Sequence, residues 1–411
     1  MRVRKCPSTS ACAASAGGAG TIVPAPMPDR MPRPRSVLPL VAILAGVVLA
    51  AQRAPGLREA PPEFAFESST APPVPESRAF REGIRLRPKT DLPNPDPSAH
   101  ASSMAMLPDG DLLVAWFAGA REGARDVSIR MARLRDGVVL DDWQALTVPD
   151  LQRQVQRVVR KLGNPLLFTS GDGTLHLFVV SVSYGGWSGS AVNHLRSTDG
   201  GRTWGQARRL VLAPFMNLGT LVRAPALPMV DGSIGLPAYH EFVRKWGMWV
   251  RIGPDGRVRA VSAMPSQARS LQPAVAPRDA RNATAMLRRG SGATARVLRS
   301  STADGGTTWS VAEATDVANP DAGVALLRCA GGELLMAANP LDRGRHVLAL
   351  LRSDDDGLTW THLQDIERGA EGEEYSYPTL IAAPDGTIHL SYTHGRRFVR
   401  VRSFSPAGGD R

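Results

Sequence analysis

The sequence predicts an all-β fold, a six-bladed β-propeller of four-stranded antiparallel blades, and two repeated patterns predict it. The first is an apolar run, a tight turn and a second apolar run, found six times. The turns are Asp109-Gly110, Asp172-Gly173, Asp231-Gly232, the degenerate Asp279-Ala280, Gly331-Gly332 and Asp385-Gly386. Gly suits them because a two-residue hairpin turn needs positive φ. Their spacing, about fifty to sixty residues, is that of a four-stranded propeller blade. A solenoid would use shorter repeats, and a doubly wound fold would need helical periodicity between strands. The second pattern, S/T-x-D-x-G-x-T-W, occurs at Ser197–Trp204, Thr302–Trp309 and Ser353–Trp360. There the Asp can accept backbone N–H bonds, the Gly takes the unusual φ and the Trp packs between sheets.

Along the chain, an export signal or signal-anchor occupies residues 1–51. Its apolar stretch from Ser36 to Ala51 follows Arg30, Arg33 and Arg35 and ends in small residues suited to cleavage. It is short for a membrane span and contains Pro39. The expectation is therefore an exported, periplasmic or secreted protein, with membrane attachment through an uncleaved N-terminal segment as the alternative. Residues 52–95, rich in Pro, Glu, Ala and Ser, read as a linker or an approach strand. The propeller is placed at 96–405 and a tail at 406–411.

The formal net charge of +11, carried mostly by arginine, fits an anionic partner or a high-arginine proteome. No nucleic-acid-binding module and no basic stripe interleaved with aromatics is recognisable, so nucleic acid is set aside. Of the three cysteines, Cys6 and Cys12 precede the export segment and Cys329 stands alone, which excludes a disulfide framework and a cysteine-rich zinc site. There is no HExxH and no EF-hand-like acidic run, and the reading includes no cofactor and no catalytic metal.

In each blade the ends of the first hairpin opposite its turn point to one face near the axis. The residues there are His100, Arg121, Glu122 and Asp126; Asn164, Tyr184 and Trp187; Arg223, Tyr239, His240 and Glu241; Gln272, Arg288 and Arg289; Asn319, Asp321, Asn339, Arg343 and Arg345; and Tyr375, Tyr377, His394, Arg396 and Arg397. Guanidinium forks bind carboxylates bidentately and aromatic faces stack on sugars, so such a ring suits an acidic glycan.

The S/T-x-D-x-G-x-T-W repeats resemble the Asp-boxes of sialidases, which are structural turns and not catalytic groups. The segment from Asn339 to Trp360 resembles a sialidase blade with an Asn-Pro pair, an arginine eight residues before the Asp-box serine, and the box itself. Further stretches, WFAGAREGARDVSI, NPLLF, NPDAG and EYSYPTL, extend the resemblance from His100 to about Phe404, nearest to the bacterial branch called predicted neuraminidases. The resemblance implies that Arg345 and Arg288 or Arg289 bind a substrate carboxylate, that Tyr377, with Tyr375 as competitor, is the nucleophile, and that Asp126 is the acid/base.

Two positions depart from the family pattern. His100 stands where an arginine is expected, and Gln272 where a glutamate would activate the tyrosine; Glu241 or Glu122 would then have to act as base. Arg121, Asn339 and Arg396 complete the expected substrate-binding set. The resemblance implies a glycosidase acting on a terminal acidic sugar, an exo-α-sialidase-type reaction. A polysaccharide lyase or uronic-acid-glycan hydrolase on the same ring, and a non-catalytic glycan-binding propeller, remain open.

Overall fold

A computed structural model describes residues 62–65, 80 and 83–407, apart from 214–216, 243 and 291–294; the proposed export segment lies outside them. Six antiparallel sheets form a ring, one per blade. The innermost strands of blades I to VI are Ser98–Met106, Lys161–Thr169, Thr220–Val222 with Leu227–Pro228, Ser270–Pro277, Ala325–Arg328 and Tyr375–Ala382. Blades I to V then run outward in sequence order, so that every connection inside them is a hairpin.

The sixth blade is completed from the other end of the chain. Its outermost strand is Ile84–Leu86, which pairs with Phe404–Pro406, while Thr90–Asp91 pairs with Arg400 and Val401. Arg400 is nearly buried and ion-pairs with both Asp91 and Glu367, tying this closure to blade V. Residues 84–91 therefore belong to the propeller, ahead of the boundary placed at residue 96. Further upstream, Phe64 is buried edge-on against Trp249, and its N–H donates to the Ala280 carbonyl at 2.7 Å.

A propeller blade is covered on both faces by its neighbours, so its inner strands read as continuous apolar runs and not as an alternation. Leu112–Gly119 and Leu175–Val182 are buried at every residue, whereas the outer strand Val138–Leu146 is largely exposed. Among the described residues the buried side chains fall into six clusters, one in each gap between adjacent blades, including the gap between VI and I. One short helix, α1 (Val148–Val155), capped by Thr147, buries Leu151 on the first gap.

The turns differ in type from the two-residue hairpins expected. In five blades the glycine N–H donates to the carbonyl three residues back, as Gly110 does to Leu107 at 3.0 Å, and the flanking residues Leu107 and Asp111 pair at 2.8 Å. This is a three-residue loop: a β-turn followed by a left-handed residue, which explains the glycine φ of 86° at Gly110. At Asp279-Ala280, which has no glycine, the Asp279 carboxylate holds the turn by accepting the N–H groups of Arg281 and Asn282.

The Asp-boxes have the hydrogen bonding their sequence implies. Asp199 accepts from the N–H of Arg202 and Thr203 and from the Ser197 hydroxyl, and Asp304 and Asp355 repeat the pattern. Those bonds hold the Asp199 carboxyl down at about 2. Trp309 and Trp360 close their own boxes through a carbonyl at 3.1 Å, but in the first box Trp143 of the preceding blade donates to Gly201 instead.

Blade II buries two histidines. His176 and His194 stack at 5.1 Å and share a hydrogen bond of 2.9 Å. Burial, reinforced by Arg196, pulls His176 down to about 4; burial, with His176, Arg196 and Arg208, pulls His194 to about 3, and only Asp172 opposes, at His176. Both are neutral in the folded protein, while unfolded histidines titrate near 6.5. Between pH 6.5 and about 4 the unfolded chain binds protons that the folded chain refuses, so stability falls on acidification. Each such histidine contributes up to about 1.4 kcal/mol per pH unit. Urea midpoints measured from pH 7 to pH 4.5 are expected to fall more steeply for the parent than for a His176→Gln/His194→Gln variant; equal slopes would show that the pair does not drive the acid lability.

Candidate active site

Because strand direction alternates, the start of each first strand, the loop between second and third strands and the connection from the previous blade share the face opposite the hairpin turns. On that face four first strands break register: between His100 and Ser103, Gly163 and Pro165, Leu271 and Ala274, and Ser376 and Thr379. Each break holds a left-handed, non-glycine residue: Ala101 (φ 52°), Asn164 (30°), Gln272 (49°) and Tyr377 (55°). The last three precede proline, which disfavours helical backbone in the residue before it. Such conformations cost about 1–3 kcal/mol each and persist where the surroundings impose them, most often at active sites and ligand clamps.

The bulged side chains meet. The Asn164 amide donates to the Tyr239 hydroxyl at 3.2 Å, and the Gln272 amide nitrogen donates to the same oxygen at 3.3 Å. The Gln272 carbonyl oxygen accepts from Arg288 at 3.3 Å, and the same Arg288 nitrogen donates to the Tyr377 hydroxyl at 3.2 Å. A neutral amide thus serves both neighbours, as acceptor to the guanidinium and donor to the phenol. Burial pushes Tyr239 up, so it remains protonated. No carboxylate hydrogen-bonds the Tyr377 hydroxyl among the described residues.

Three guanidiniums surround Tyr377. Besides Arg288, Arg345 and Arg223 lie over its ring at 5.7 and 5.1 Å. Arg288 is held by Asp321 at 2.6 Å; burial opposes its charge, but Tyr377 and Asp321 keep it above the ordinary arginine value. Arg345 bonds Glu374 at 3.1 Å and the Asp321 carbonyl at 2.8 Å. Arg223 is buried, its charge drawn down to about 10 by burial, and it donates to the carbonyls of Val324 and Pro378 on blades V and VI. At neutral pH it is still a cation.

Glu374 organises the edge of this cluster. Burial would raise it, but Arg396 at 2.6 Å, Ser376 and Arg345 hold it at about 2. Arg396 also reaches Glu122 at 2.5 Å, in the blade I loop that carries Asp126. Asp126 itself is exposed, with one oxygen accepting the Ala120 N–H at 3.0 Å. His100 lies 4.3 Å from the Tyr377 ring with neither nitrogen hydrogen-bonded, and burial lowers it to about 3. It adds no positive charge where a sialidase arginine was expected.

Of the expected residues, the structure brings together His100, Gln272, Arg288, Arg345, Tyr377 and Arg396, with Asp126 on the rim loop that Arg396 anchors. Arg121 shares that rim loop, and three others lie elsewhere. In an unbroken strand Tyr375 and Tyr377 would face the same way, but the break after Ser376 separates them. Tyr375 packs in the cluster between blades V and VI, edge-on to His394, its hydroxyl on Glu373 at 2.7 Å. Asn339 is wholly buried, its amide nitrogen on the carbonyls of Val347 and Tyr375, so it braces the Arg345 loop. Glu241 is bound to Lys245, and Arg121 is exposed. Neither Glu241 nor Glu122, expected as substitute bases, contacts Tyr377. Glu374, outside the expected ring, was signalled by the acidic run Glu371, Glu373, Glu374 that leads into the tyrosine strand. Among the described residues no group of three or more His, Cys, Asp or Glu is placed to hold a metal ion.

Residues 110–390 match the family described as BNR repeat-like domain. No curated protein matches the chain. Solved structures share its fold at low identity. A protein of unknown function from Dyadobacter fermentans has 14% identity and a TM-score of 0.65, covering 79% of this chain and 99% of its own. The NanB sialidase from Streptococcus pneumoniae has 10% identity and a TM-score of 0.61 over 78% of this chain and 70% of its own. An α-L-arabinanase from Penicillium chrysogenum has 14% identity and a TM-score of 0.59 over 79% and 99%. The family match spans more than half the sequence and contains all three Asp-boxes, and the chain belongs to the BNR repeat-like domain family.

Proposed function

We propose that the protein is a glycosidase that removes a terminal acidic sugar, with Tyr377 as nucleophile. The observation that carries this reading is Tyr377 itself, held left-handed before Pro378 with three guanidiniums around it and its hydroxyl on Arg288. A sugar bearing a carboxylate at its reacting carbon repels an anionic nucleophile, and a tyrosine avoids that repulsion. Arg288 and Arg345 would take the carboxylate, one guanidinium from each of two adjacent blades. Asp126, exposed on its rim loop, would protonate the leaving oxygen, while Tyr377 attacks the anomeric carbon and gives its proton to solvent. The negative charge passing through the phenol oxygen would be met by Arg288. Water then releases the sugar from the tyrosyl intermediate, with Asp126 as base.

The test is turnover of a fluorogenic sialoside and, in parallel, of fluorogenic uronides by the chain from Gln52 onward. Tyr377→Phe is expected to lose at least about 1,000-fold in kcat with an unchanged melting temperature. Asp126→Ala is expected to lose about 100- to 10,000-fold on a substrate with a poor leaving group. Full activity in Tyr377→Phe would end the reading.

A second expectation concerns the arginines. Arg345→Met removes one charge-assisted bond to the substrate and should raise KM about 10- to 100-fold, whereas a neutral glycoside, if it is turned over, should show no change.

A lyase reading is favoured by one observation: among the described residues no carboxylate hydrogen-bonds the Tyr377 hydroxyl, which lies beside a neutral His100. Arginines would then neutralise a uronate carboxylate, and Tyr377 would take the α-proton while its own phenol proton passes to the departing oxygen, leaving a carbon–carbon double bond. Ultraviolet absorbance of an unsaturated product from uronic-acid polysaccharides separates the two chemistries.

A further inference from the structure

Among the described residues only two aromatic side chains are exposed, Tyr184 at 63% and Phe242 at 52%. Both lie in the loop between second and third strands, on the neighbouring blades II and III, and so on the face that carries the arginine centre. Isolated surface aromatics need no explanation, but grouped ones mark binding surfaces.

Each has a tryptophan on the same loop or the strand that follows it. Trp187, three residues after Tyr184, lies so close over Gly163 that a Cβ there would sit 2.5 Å from its ring. Trp246 stacks on His240 at 4.0 Å with planes 11° apart. Trp187 and Trp246 both pack on the apolar cluster between blades II and III, so they flank one seam. Arg160 and Lys161 lie over the rings of Tyr184 and Trp187, each at 5.4 Å, and Glu241 and Lys245 neutralise one another.

The seam is continuous with the centre. Gly163 precedes Asn164, and His240 follows Tyr239, and Asn164 and Tyr239 are the hydrogen-bonded pair that leads to Gln272 and Arg288. The centre offers guanidiniums from blades III to VI, and the rim of blades II and III offers aromatic rings backed by cations.

We propose that the rim of blades II and III is a second sugar-binding subsite, taking an uncharged pyranose of the same glycan whose acidic unit occupies the arginines. This rests on the acidic-sugar reading of the centre. A pyranose presents a C–H face that packs on an aromatic ring and hydroxyls that bond to polar groups at its edge, the mixture this seam supplies. The substrate is then an oligosaccharide or polymer, and sugars beyond the cleaved one contribute binding.

The experiment is an array of acidic and neutral oligosaccharides and their terminal monosaccharides, probed with the labelled chain and with Tyr184→Ala, Trp246→Ala and Arg288→Met variants. Tyr184 is exposed enough that its substitution leaves folding intact, and melting curves check Trp246→Ala. The parent should hold acidic oligosaccharides about tenfold more tightly than the matching monosaccharide. That excess should vanish in both aromatic variants, while monosaccharide binding is unchanged. Oligosaccharides held no better than monosaccharides, an unaltered excess in Tyr184→Ala, or a blank array would overturn the subsite. Arg288→Met should abolish the preference for acidic glycans. If it does not, while the aromatic variants still lose oligosaccharides, the subsite stands and the acidic-sugar reading falls.

Discussion

Six inner strands converge on one axis, and a regular strand there would spend its side chains on packing between blades. The register breaks change this. One extra residue in the first strand turns a side chain out of the alternation and toward the axis, at the cost of left-handed backbone in Ala101, Asn164, Gln272 and Tyr377. The site depends on that device. Asn164, Gln272 and Tyr377 belong to blades II, IV and VI, yet they join one hydrogen-bonded chain through Tyr239 and Arg288. Four such conformations at the same level of the ring are harder to attribute to chance than any single one.

The electrostatic design follows from burial. Arg223 and Arg288 lie deep, where a lone cation would be costly, and each has its own remedy: two carbonyls for Arg223, Asp321 for Arg288. Arg345 and Arg396 share Glu374. Arg223 keeps its charge without a carboxylate beside it, and this excess of positive charge is what an anionic ligand would neutralise. His100 contributes none of it, because burial keeps it neutral. The centre therefore gathers its cations from blades III to VI, and blade I supplies carboxylates, Glu122 and Asp126, at the rim.

The fold was legible because its signals are local. An Asp-Gly turn and an Asp-box are decided by eight or fewer neighbouring residues, and the structure repeats the glycine bond in five turns and the Asp–backbone bonds in all three boxes. Arg288, Arg345 and Tyr377 were legible through family resemblance at similar local motifs. What failed was long-range or depended on a one-residue shift. Tyr375 looked equivalent to Tyr377 because alternation gives both one face, and only the break after Ser376 parts them. Arg223 showed as a ring position, but its partners Val324 and Pro378 lie more than a hundred residues away. Asn339 has the composition of a ligand-binding residue, and its total burial among carbonyls gives it a bracing role instead. The closing strand Ile84–Leu86 is three residues long in a proline-rich stretch, too short to carry a pattern of its own.

Closure of the ring and the candidate site draw on the same contacts. Blade VI is held from outside by residues 84–91, from blade V by the Arg400 ion pair with Glu367, and from blade I by Arg396 on Glu122. The last of these contacts crosses the seam between the two ends of the propeller sequence. It fixes the loop of Asp126 relative to Glu374, and Glu374 in turn fixes Arg345 over Tyr377. A loosening of that seam would separate Asp126 from Tyr377 while the other five inter-blade clusters stayed packed. The seam is thus the point where a change far from the axis, at the N-terminal strand, has a physical route to the candidate site.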